Sequence, residues 1–305
     1  MTGATGFLGR WVEDAVARSG RSCVGAGSGD GDLRELREAL RLVRAVGPET
    51  VVHLAGLGGG IGIHASRQAE LLRDNALMGL QVLEACRLAG VPRVILAGSA
   101  AAYGGGATVP SPESELGEAL PTGSSRPYAL AKLLLGEALA GYRTQFGLKG
   151  GTLVFTNLYG PGDHFGDDAG HVVAALVPRF VAAAAAAAPA VTVWGSGRPT
   201  RDFLYVGDAA RAVVKAIETE LDADLPVNVG SGRETSIRAL AEGLAKVTGF
   251  DGRIEWDASK PDGAPRRALD VRRAEALLGF RATTGLHDGL AATVQAYREV
   301  QRGVP

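Results

Sequence analysis

The glycine-rich segment at the start of the chain restricts the fold more than any other feature. Gly3, Gly6 and Gly9 are followed at once by the helical pattern of residues 10–17. This spacing permits a tight turn, a close backbone approach to a pyrophosphate and close packing of helix on strand. The helix N-terminus adds free N–H groups and a positive dipole end. The segment therefore predicts a dinucleotide site in an α/β fold of the Rossmann type, with a doubly wound parallel sheet.

The regular elements that follow agree with this fold. Met1 and Thr2 are all that can form the strand that should precede the loop, so we expect further apolar residues upstream in the natural polypeptide. Apolar runs predict strands at 22–26, 50–55, 93–98 and 151–155, and helical spacing predicts helices at 65–89 and 125–146.

The character of the sequence changes after Gly160, where loops rich in Gly, Pro and Asp alternate with short helices. We therefore expect residues 1–161 to form the dinucleotide-binding domain. Residues 162–305 are expected to form a smaller α/β substrate-binding domain, interleaved with the first because a return at about 203–230 completes the main sheet.

Composition narrows the class of protein. The 305 residues are 46% hydrophobic, and 32 Lys+Arg against 33 Asp+Glu give a net charge of -1. No basic field therefore indicates a nucleic-acid or membrane partner. The sequence shows no signal peptide and no apolar run near the roughly 18 residues of a membrane span, so we expect a cytoplasmic protein. Cys23 and Cys86 are too few and too scattered for a metal site, and we expect none.

A possible catalytic set follows the cofactor segment. Tyr128 and Lys132 are four residues apart in a predicted helix and so share one face. A nearby ammonium favours the phenolate and lowers the pKa of a tyrosine. Ser99, at the carboxyl end of the strand at 93–98, can orient a carbonyl beside the phenol. Together these residues predict proton transfer coupled to hydride transfer at a ketone or secondary alcohol.

With the glycine loop, this set resembles the extended short-chain dehydrogenases/reductases that act on nucleotide sugars, and more closely the GDP-L-fucose synthase type. The resemblance spans essentially the whole chain. The supporting motifs are His53-Leu-Ala with Gly58-Gly59, Thr156-Asn157-Leu158-Tyr159-Gly160-Pro161, Gly170-His171-Val172, Val193-Trp194-Gly195-Ser196-Gly197, Arg201-Asp202-Phe203 and the run from Lys260 to Arg267.

The resemblance implies NADP(H) as cofactor and a nucleotide-diphosphate sugar as substrate. It assigns Ser99, Tyr128, Lys132 and His171 to catalysis. The implied substrate contacts are Ser99, Asn157, His171, Arg179, Trp194, Arg201 and Lys260. Of these, Arg179, Arg201 and Lys260 would bind the diphosphate. The implied cofactor contacts are Gly3, Thr5, Gly6, Phe7, Leu8, Gly9, Asp32, Leu33, Leu54, Ala55, Gly56, Tyr128 and Lys132.

The cofactor preference has support in the residues themselves. An acid at the end of the second strand would hold the ribose of NAD, whereas this chain has Ala26-Gly27-Ser28 there, which favours NADPH. Arg10 is a candidate partner for the extra phosphate.

One position departs from the resembled pattern. The family uses a cysteine two residues after the catalytic serine to epimerise the sugar, with a histidine as second acid/base, and this chain has Ala101 there. An alanine methyl group cannot exchange a proton, so double epimerisation is not expected. His171 could bind a sugar hydroxyl, act at a single centre or be a core residue.

We therefore expect an NADPH-dependent 4-ketoreductase of a nucleotide-linked 4-keto-6-deoxy sugar, with guanine or thymine as the base. The alternatives are a bifunctional epimerase/reductase, a nucleotide-sugar 4-epimerase and a non-catalytic NADP-binding sensor. The two long predicted helices carry apolar residues beyond one stripe. Because the matching helices pair in the resembled family, we expect a homodimer.

Overall fold

The computed structural model describes residues 1–166, 171–221, 225–260 and 262–303. Gly170 and Pro261, which belong to motifs quoted above, lie outside these ranges. In chain order the helices are α1 (Phe7–Arg18), α2 (Leu36–Val46), α3 (Ile61–Ser66), α4 (Gln68–Ala89), α5 (Arg126–Phe146), α6 (Val172–Ala185), α7 (Val206–Glu218), α8 (Ile237–Thr248), α9 (Arg272–Leu278) and α10 (Leu286–Gln301). The strands are β1 (Thr50–His53), β2 (Arg93–Ser99), β3 (Lys149–Phe155), β4 (Asn157–Tyr159), β5 (Ala190–Trp194), β6 (Thr200–Tyr205), β7 (Val227–Val229), β8 (Glu234–Ser236), β9 (Arg253–Asp257) and β10 (Arg266–Arg267).

A parallel sheet in the order β1-β2-β3-β7 lies at the centre of the fold. Thr2 extends it through parallel bridges to Ala26 and His53, so the glycine loop leaves the sheet beside β1. Helices α1 and α7 pack on one face of this sheet, while α4 and α5 pack against each other and cover the other face. This arrangement confirms the predicted α/β fold with a parallel, doubly wound sheet.

The predicted elements differ from the observed ones in two places. The strand predicted at 22–26 is reduced to the single bridge at Ala26. The long helix predicted from residue 65 begins at Gln68, with the short α3 before it. Arg67 leaves helical geometry, with φ −119° and ψ 36°, and so separates the two helices.

Apart from β7, the strands after β3 form smaller sheets, beside which lies a second hydrophobic core. Strand β6 lies between β10 and β4 and also pairs antiparallel with β8, while β5 pairs parallel with β9. Helices α6, α8 and α10 pack around this core, whose large side chains include Tyr159, Phe180 and Phe250. The start of β6 lies beside β10, where Thr200 pairs with Arg266. No helix in the described part of the chain is long and apolar enough to span a membrane.

Candidate functional site

The glycine loop is packed too tightly for any residue with a side chain at position 9. A Cβ added to Gly9 would lie 2.0 Å from the carbonyl oxygen of Gly3. Gly6 is the N-cap of α1 and makes no side-chain cap, so the first N–H groups of α1, from Phe7 onward, have no side-chain acceptor there. Thr5 is exposed beside them. The loop therefore provides backbone donors and the positive end of a helix dipole, the arrangement that suits a pyrophosphate.

The residues that follow β1 lie against this loop. The amide of Leu54 donates to the Thr2 carbonyl oxygen at 3.2 Å, and that of Ala55 donates to the Thr2 hydroxyl at 3.4 Å. A Cβ added to Gly56 would lie 3.5 Å from the Lys132 Nζ. The structure thus brings Leu54, Ala55 and Gly56 between the glycine loop and the predicted catalytic helix.

Two acidic side chains, Asp30 and Asp32, lie in the segment that follows the second predicted strand. Asp32 is exposed and paired with Arg34, which lowers the pKa of the carboxyl group to about 2; Leu33 packs beside α2. Asp30 was not singled out from the sequence. Its carboxylate accepts a hydrogen bond from the Gly27 amide at 2.7 Å, so an acid does turn back onto the end of the second strand. Arg10 is exposed on α1.

Ser99 ends strand β2 and faces the predicted catalytic helix. Its hydroxyl oxygen accepts from the Ala101 amide at 3.2 Å and forms a hydrogen bond with the Tyr128 hydroxyl. Ala101 itself lies in the single 3₁₀ turn of Ala100–Ala102 that follows the strand. The residue at the resembled family's cysteine position is therefore directly beside the serine, where it presents only a methyl group.

Tyr128 lies in the first turn of α5. Burial raises the pKa of its phenol, and the hydrogen bond with Ser99 lowers it in part. The Lys132 ammonium lies 5.7 Å from the centroid of the Tyr128 ring, and burial of the phenol outweighs the lowering of the pKa that was expected from this charge. The phenol is therefore protonated at neutral pH, the state that a proton donor requires.

Lys132 is 7% exposed, and its Nζ donates to the Ala97 carbonyl oxygen at 2.9 Å. Burial lowers its pKa to about 8. Asn75 of α4 lies close by, since a Cβ on Gly56 would be 3.0 Å from the Asn75 Oδ1. The side chain of Asn75 bonds the backbone of Leu57 and Leu71, and so holds the segment after β1 on α4. Sequence reasoning missed this residue because its partners are all backbone groups.

His171 is the N-cap of α6, and its side chain is open to solvent in the cleft. Desolvation by the surrounding protein, followed by the neighbouring charges of His64 and His164, lowers its pKa. His64 in turn lies edge-on to the Tyr128 ring, at 5.2 Å between centroids. His64, a residue that no sequence motif had marked, therefore packs against Tyr128, and its charge contributes to the lowered pKa of His171.

Trp194 lies outside the central parallel sheet. It ends β5 with 53% of its surface exposed, and two cations lie over its ring: Arg179 at 5.6 Å and Lys260 at 5.4 Å from the centroid. The loop that carries Lys260 is fixed by Asp262, whose carboxylate accepts from the Ser196 amide at 2.6 Å and from its hydroxyl at 2.7 Å.

The close approach of Asp262 requires glycine at position 195. Gly195 has φ +84°, and a Cβ there would lie 2.4 Å from the Asp262 Oδ1. The motif around Trp194 and the one after Lys260 are therefore packed directly against each other.

Arg201 does not pair with its neighbour Asp202. The Asp202 carboxylate is fully buried and accepts from Ser231 and Gly232, while Arg201 donates to the carbonyl oxygens of Thr200 and Ala264. Burial, followed by the like charge of Arg267, lowers the pKa of Arg201 to about 10.

Arg267 completes this group and was missed as a separate site residue. Burial lowers its pKa too, and it lies opposite Arg201 in the register of β10 on β6. Within the described residues neither guanidinium has an acidic partner, whereas the adjacent Arg266 is paired with Glu234. Two half-buried, like-charged arginines without an anion indicate a binding site for one.

Asn157 begins β4, and its side-chain nitrogen donates to the Asp202 carbonyl oxygen at 3.1 Å. The amide group is therefore partly committed to the fold, and the carboxamide oxygen is the atom left for a ligand. The two cysteines lie elsewhere: burial raises the pKa of Cys86 to about 12, and burial also raises that of the half-buried Cys23. Neither thiol can stand in for the missing one at Ala101.

Comparison with known proteins agrees with this geometry. Residues 1–230 match the NAD dependent epimerase/dehydratase family. GDP-L-fucose synthase of Escherichia coli is 38% identical over 251 residues, which are 80% of this chain and 78% of that protein. GDP-L-fucose synthase of Sinorhizobium fredii is 33% identical over 97% of this chain and 94% of its own.

A solved structure extends the likeness. The GDP-L-fucose synthetase of Naegleria fowleri bound to NADP superposes with a TM-score of 0.87 at 28% identity, covering 99% of this chain and 94% of that one. The resemblance inferred from the motifs is confirmed. The chain belongs to the NAD dependent epimerase/dehydratase family.

Proposed function

We propose that this chain is an NADPH-dependent reductase of the 4-keto group of a GDP-linked 4-keto-6-deoxy sugar. The observation that carries the proposal is the placement of Tyr128 beside Ser99 and the buried Lys132, whose Nζ lies 5.7 Å from the centroid of the Tyr128 ring. The names of the two curated relatives support a GDP-linked sugar, and the NADP in the Naegleria fowleri structure supports the cofactor.

The residues present fit a dinucleotide. The glycine loop and the start of α1 would hold the pyrophosphate, Asp32 and Leu33 would lie near the adenine, and Leu54 to Gly56 would line the path to the nicotinamide. When bound, NADPH supplies the hydride for carbon 4 of the sugar. The close packing at Gly9 supports this assignment, because it holds the start of α1 directly against the loop backbone, as dinucleotide-binding folds require.

The proton would come from Tyr128. Ser99 would donate a hydrogen bond to the ketone oxygen and orient it toward the phenol. Burial keeps Tyr128 protonated until negative charge develops on that oxygen, and Tyr128 then transfers its proton. Lys132, with its Nζ 5.7 Å from the centroid of the Tyr128 ring, would stabilise the phenolate that remains.

The opposite end of the cleft would hold the nucleotide. Arg201 and Arg267 have no acidic partner among the described residues, and Arg179 and Lys260 lie against Trp194. These cations suit the diphosphate, and the exposed face of Trp194 suits the base. Asn157 and His171 lie between the two ends in this proposal and contact the sugar.

Ala101 separates this proposal from the second candidate, a bifunctional epimerase/reductase, which the names of the relatives favour. Epimerisation beside the ketone removes a carbon-bound proton, and solvent deuterium would then replace it. We expect a GDP-linked 4-keto-6-deoxy sugar incubated with the enzyme in heavy water without NADPH to gain no deuterium at carbons 3 and 5 together. Adding NADPH should give a single reduced product with both centres unchanged.

The Ala101→Cys variant sharpens this test, with Ala101→Ser as its matched control. A thiol restored beside Ser99 is expected to introduce enzyme-dependent deuterium at one or both carbons, whereas the hydroxyl should not. Deuterium at both carbons with the unaltered enzyme, measured above a no-enzyme sample by mass spectrometry, would overturn the reductase-only assignment.

The proposal extends to organisation and assembly. The glycine loop and the parallel sheet would form the cofactor domain, and the second hydrophobic core would form the substrate domain. Exposed apolar side chains on α4 and α5, namely Leu72, Leu88, Leu134 and Phe146, support an isologous homodimer through these helices. Light scattering at micromolar concentration should return twice the chain mass of 31.4 kDa, and a monomer would contradict the dimer.

A further inference from the structure

Asp30 is an acid beside the proposed cofactor site that the mechanism above leaves without a role. It is exposed, and its carboxylate accepts a hydrogen bond from the Gly27 amide at 2.7 Å. In the described part of the chain the carboxylate has no other hydrogen-bond partner. A carboxylate can accept about four hydrogen bonds, so this one retains the capacity to accept a bond from a ligand.

The end of the predicted second strand, to which Asp30 returns, lies directly against the glycine loop. The amide of Ala4 donates to the Ala26 carbonyl oxygen at 3.1 Å. A Cβ added to Gly27 would lie 2.7 Å from the hydroxyl oxygen of Thr5. The Asp30 carboxylate is therefore held next to the loop that would bind the pyrophosphate.

The covalent structure of a dinucleotide indicates which of its groups Asp30 would meet. The adenosine ribose joins the pyrophosphate to the adenine, and Asp30 likewise comes between the glycine loop and Asp32–Leu33, the pair proposed to lie near the adenine. Asp30 also follows Gly9 by about 20 residues, the interval at which dinucleotide-binding folds place the acid that binds the ribose 2′-hydroxyl. Both the position in the fold and the position in the chain therefore indicate the ribose.

Two arginines close to this segment are already paired with acids. Arg34 forms a salt bridge with Asp32 at 2.6 Å, and Arg41 forms one with Glu38 at 2.9 Å. Arg41 also donates to the backbone carbonyl oxygen of Asp30 at 2.5 Å, so its guanidinium is held away from solvent-side ligands by two protein partners. Neither arginine offsets the negative charge of the Asp30 side chain, and a 2′-phosphate placed there would be repelled.

We propose that the Asp30 carboxylate accepts a hydrogen bond from the 2′-hydroxyl of an adenosine ribose, so that this chain binds NADH as well as NADPH. The inference rests on the proposed function and deepens it, because it concerns the source of the hydride. Arg10, exposed on α1, remains the candidate partner for the extra phosphate of NADPH. Asp30 is then the residue that limits the preference for NADPH, since a carboxylate attracts a hydroxyl group and repels a phosphate.

The test compares the binding of the two reduced cofactors by fluorescence titration, without a sugar substrate. The wild type should bind NADH with a Kd no more than about tenfold above its Kd for NADPH, a difference smaller than one charge-assisted hydrogen bond. In Asp30→Asn the side chain can still accept from Gly27 but has lost its negative charge. NADH binding should weaken about tenfold, while NADPH binding should be unchanged or tighter.

Two further variants separate ribose recognition from support of the turn. Asp30→Ser also keeps an acceptor for the Gly27 amide, and it should raise the ratio of the NADH Kd to the NADPH Kd in the same direction. Asp251→Asn makes the same change of charge at an exposed acid before β9 and should leave both affinities unchanged. The Tm of each variant without cofactor checks that it folds.

The outcomes that contradict the inference are distinct from the one that contradicts the proposed function. Equal weakening of both cofactors in Asp30→Asn would show that Asp30 only supports the turn, and the same shift of the ratio in Asp251→Asn would assign the effect to net charge. A wild type that binds NADPH but not millimolar NADH would also overturn the inference, with the proposed function intact. A wild type that binds neither cofactor would overturn both.

Discussion

The proposed catalytic residues and the proposed nucleotide-binding residues differ in how their charged and polar groups are paired. At the catalytic end the functional groups are bonded to one another or to the protein: Ser99 to Tyr128, and Lys132 to the Ala97 carbonyl oxygen. At the nucleotide end Arg201 and Arg267 lie side by side without an acid among the described residues. In the proposed function, folding completes the catalytic end, while the nucleotide end keeps a positive charge that a diphosphate would neutralise. The difference predicts that substitutions at the first end change turnover and those at the second change affinity.

The strongest test of this contrast removes the proton donor. Tyr128→Phe should retain NADPH affinity, since the glycine loop is remote, and lose roughly two to four orders of magnitude in turnover, the usual contribution of general acid catalysis. Stopped-flow reduction and fluorescence titration of NADPH measure the two quantities. Near-normal turnover would remove Tyr128 from the mechanism.

A second test uses the buried charge of Lys132. Its pKa is about 8 in the folded chain against 10.5 when exposed, so between these values the unfolded state binds more protons. The free energy of unfolding should therefore contain a contribution from Lys132 that rises with pH across that window, on the order of 3 kcal/mol in total. In Lys132→Met this contribution should be absent, and urea unfolding at pH 7.5 and pH 10 compares the two proteins. If the free energy of unfolding changed equally with pH in both proteins, the pKa of Lys132 would not be lowered by folding.

At the nucleotide end, two adjacent arginines, Arg266 and Arg267, allow a matched comparison of substrate affinity. Arg267→Leu removes a cation that lacks an acidic partner in the described chain, whereas Arg266→Leu removes one that is paired with Glu234. We expect Arg267→Leu to weaken GDP-sugar binding by about 10- to 100-fold, the scale of a charge-assisted hydrogen bond, with NADPH binding and kcat little changed. Equal losses of affinity in both variants would argue against a dedicated anion site.

The smallest effect is expected at Trp194. Its exposed ring lies under two cations, and Trp194→Leu should raise KM for the GDP-sugar only a few-fold, because an exposed cation–π contact contributes about 0.5–1 kcal/mol. Isothermal calorimetry with GDP alone should show the same factor. A loss confined to the sugar and absent with GDP would place Trp194 away from the base.

The catalytic end was largely predictable from the sequence, and the nucleotide end was less so. The spacing of Gly3, Gly6 and Gly9, and that of Tyr128 and Lys132, are local patterns that carry their geometry with them. By contrast, Arg201 and Asp202 are adjacent in sequence yet bond in different directions, because Asp202 is drawn to Ser231 and Gly232 across the fold.

Tertiary partners explain the other differences. Sequence spacing predicted that Lys132 would lower the pKa of Tyr128, but burial of the phenol raises that pKa. His64 could not be found because α3 and α5 are far apart in sequence and no motif joins them. Asp30 was not predicted because it lies in the turn after the strand, and only the folded turn brings its carboxylate to the Gly27 amide.

The methyl group at Ala101 also affects how the enzyme would respond to oxidants. A catalytic thiolate is the usual target of peroxide and of alkylating reagents, and its reactivity depends on exposure and a low pKa. Here Cys86 is buried with a pKa of about 12, and the pKa of Cys23 is raised as well. With alanine in place of that thiol, the enzyme is expected to keep its activity under oxidative stress that inactivates a thiol-dependent relative.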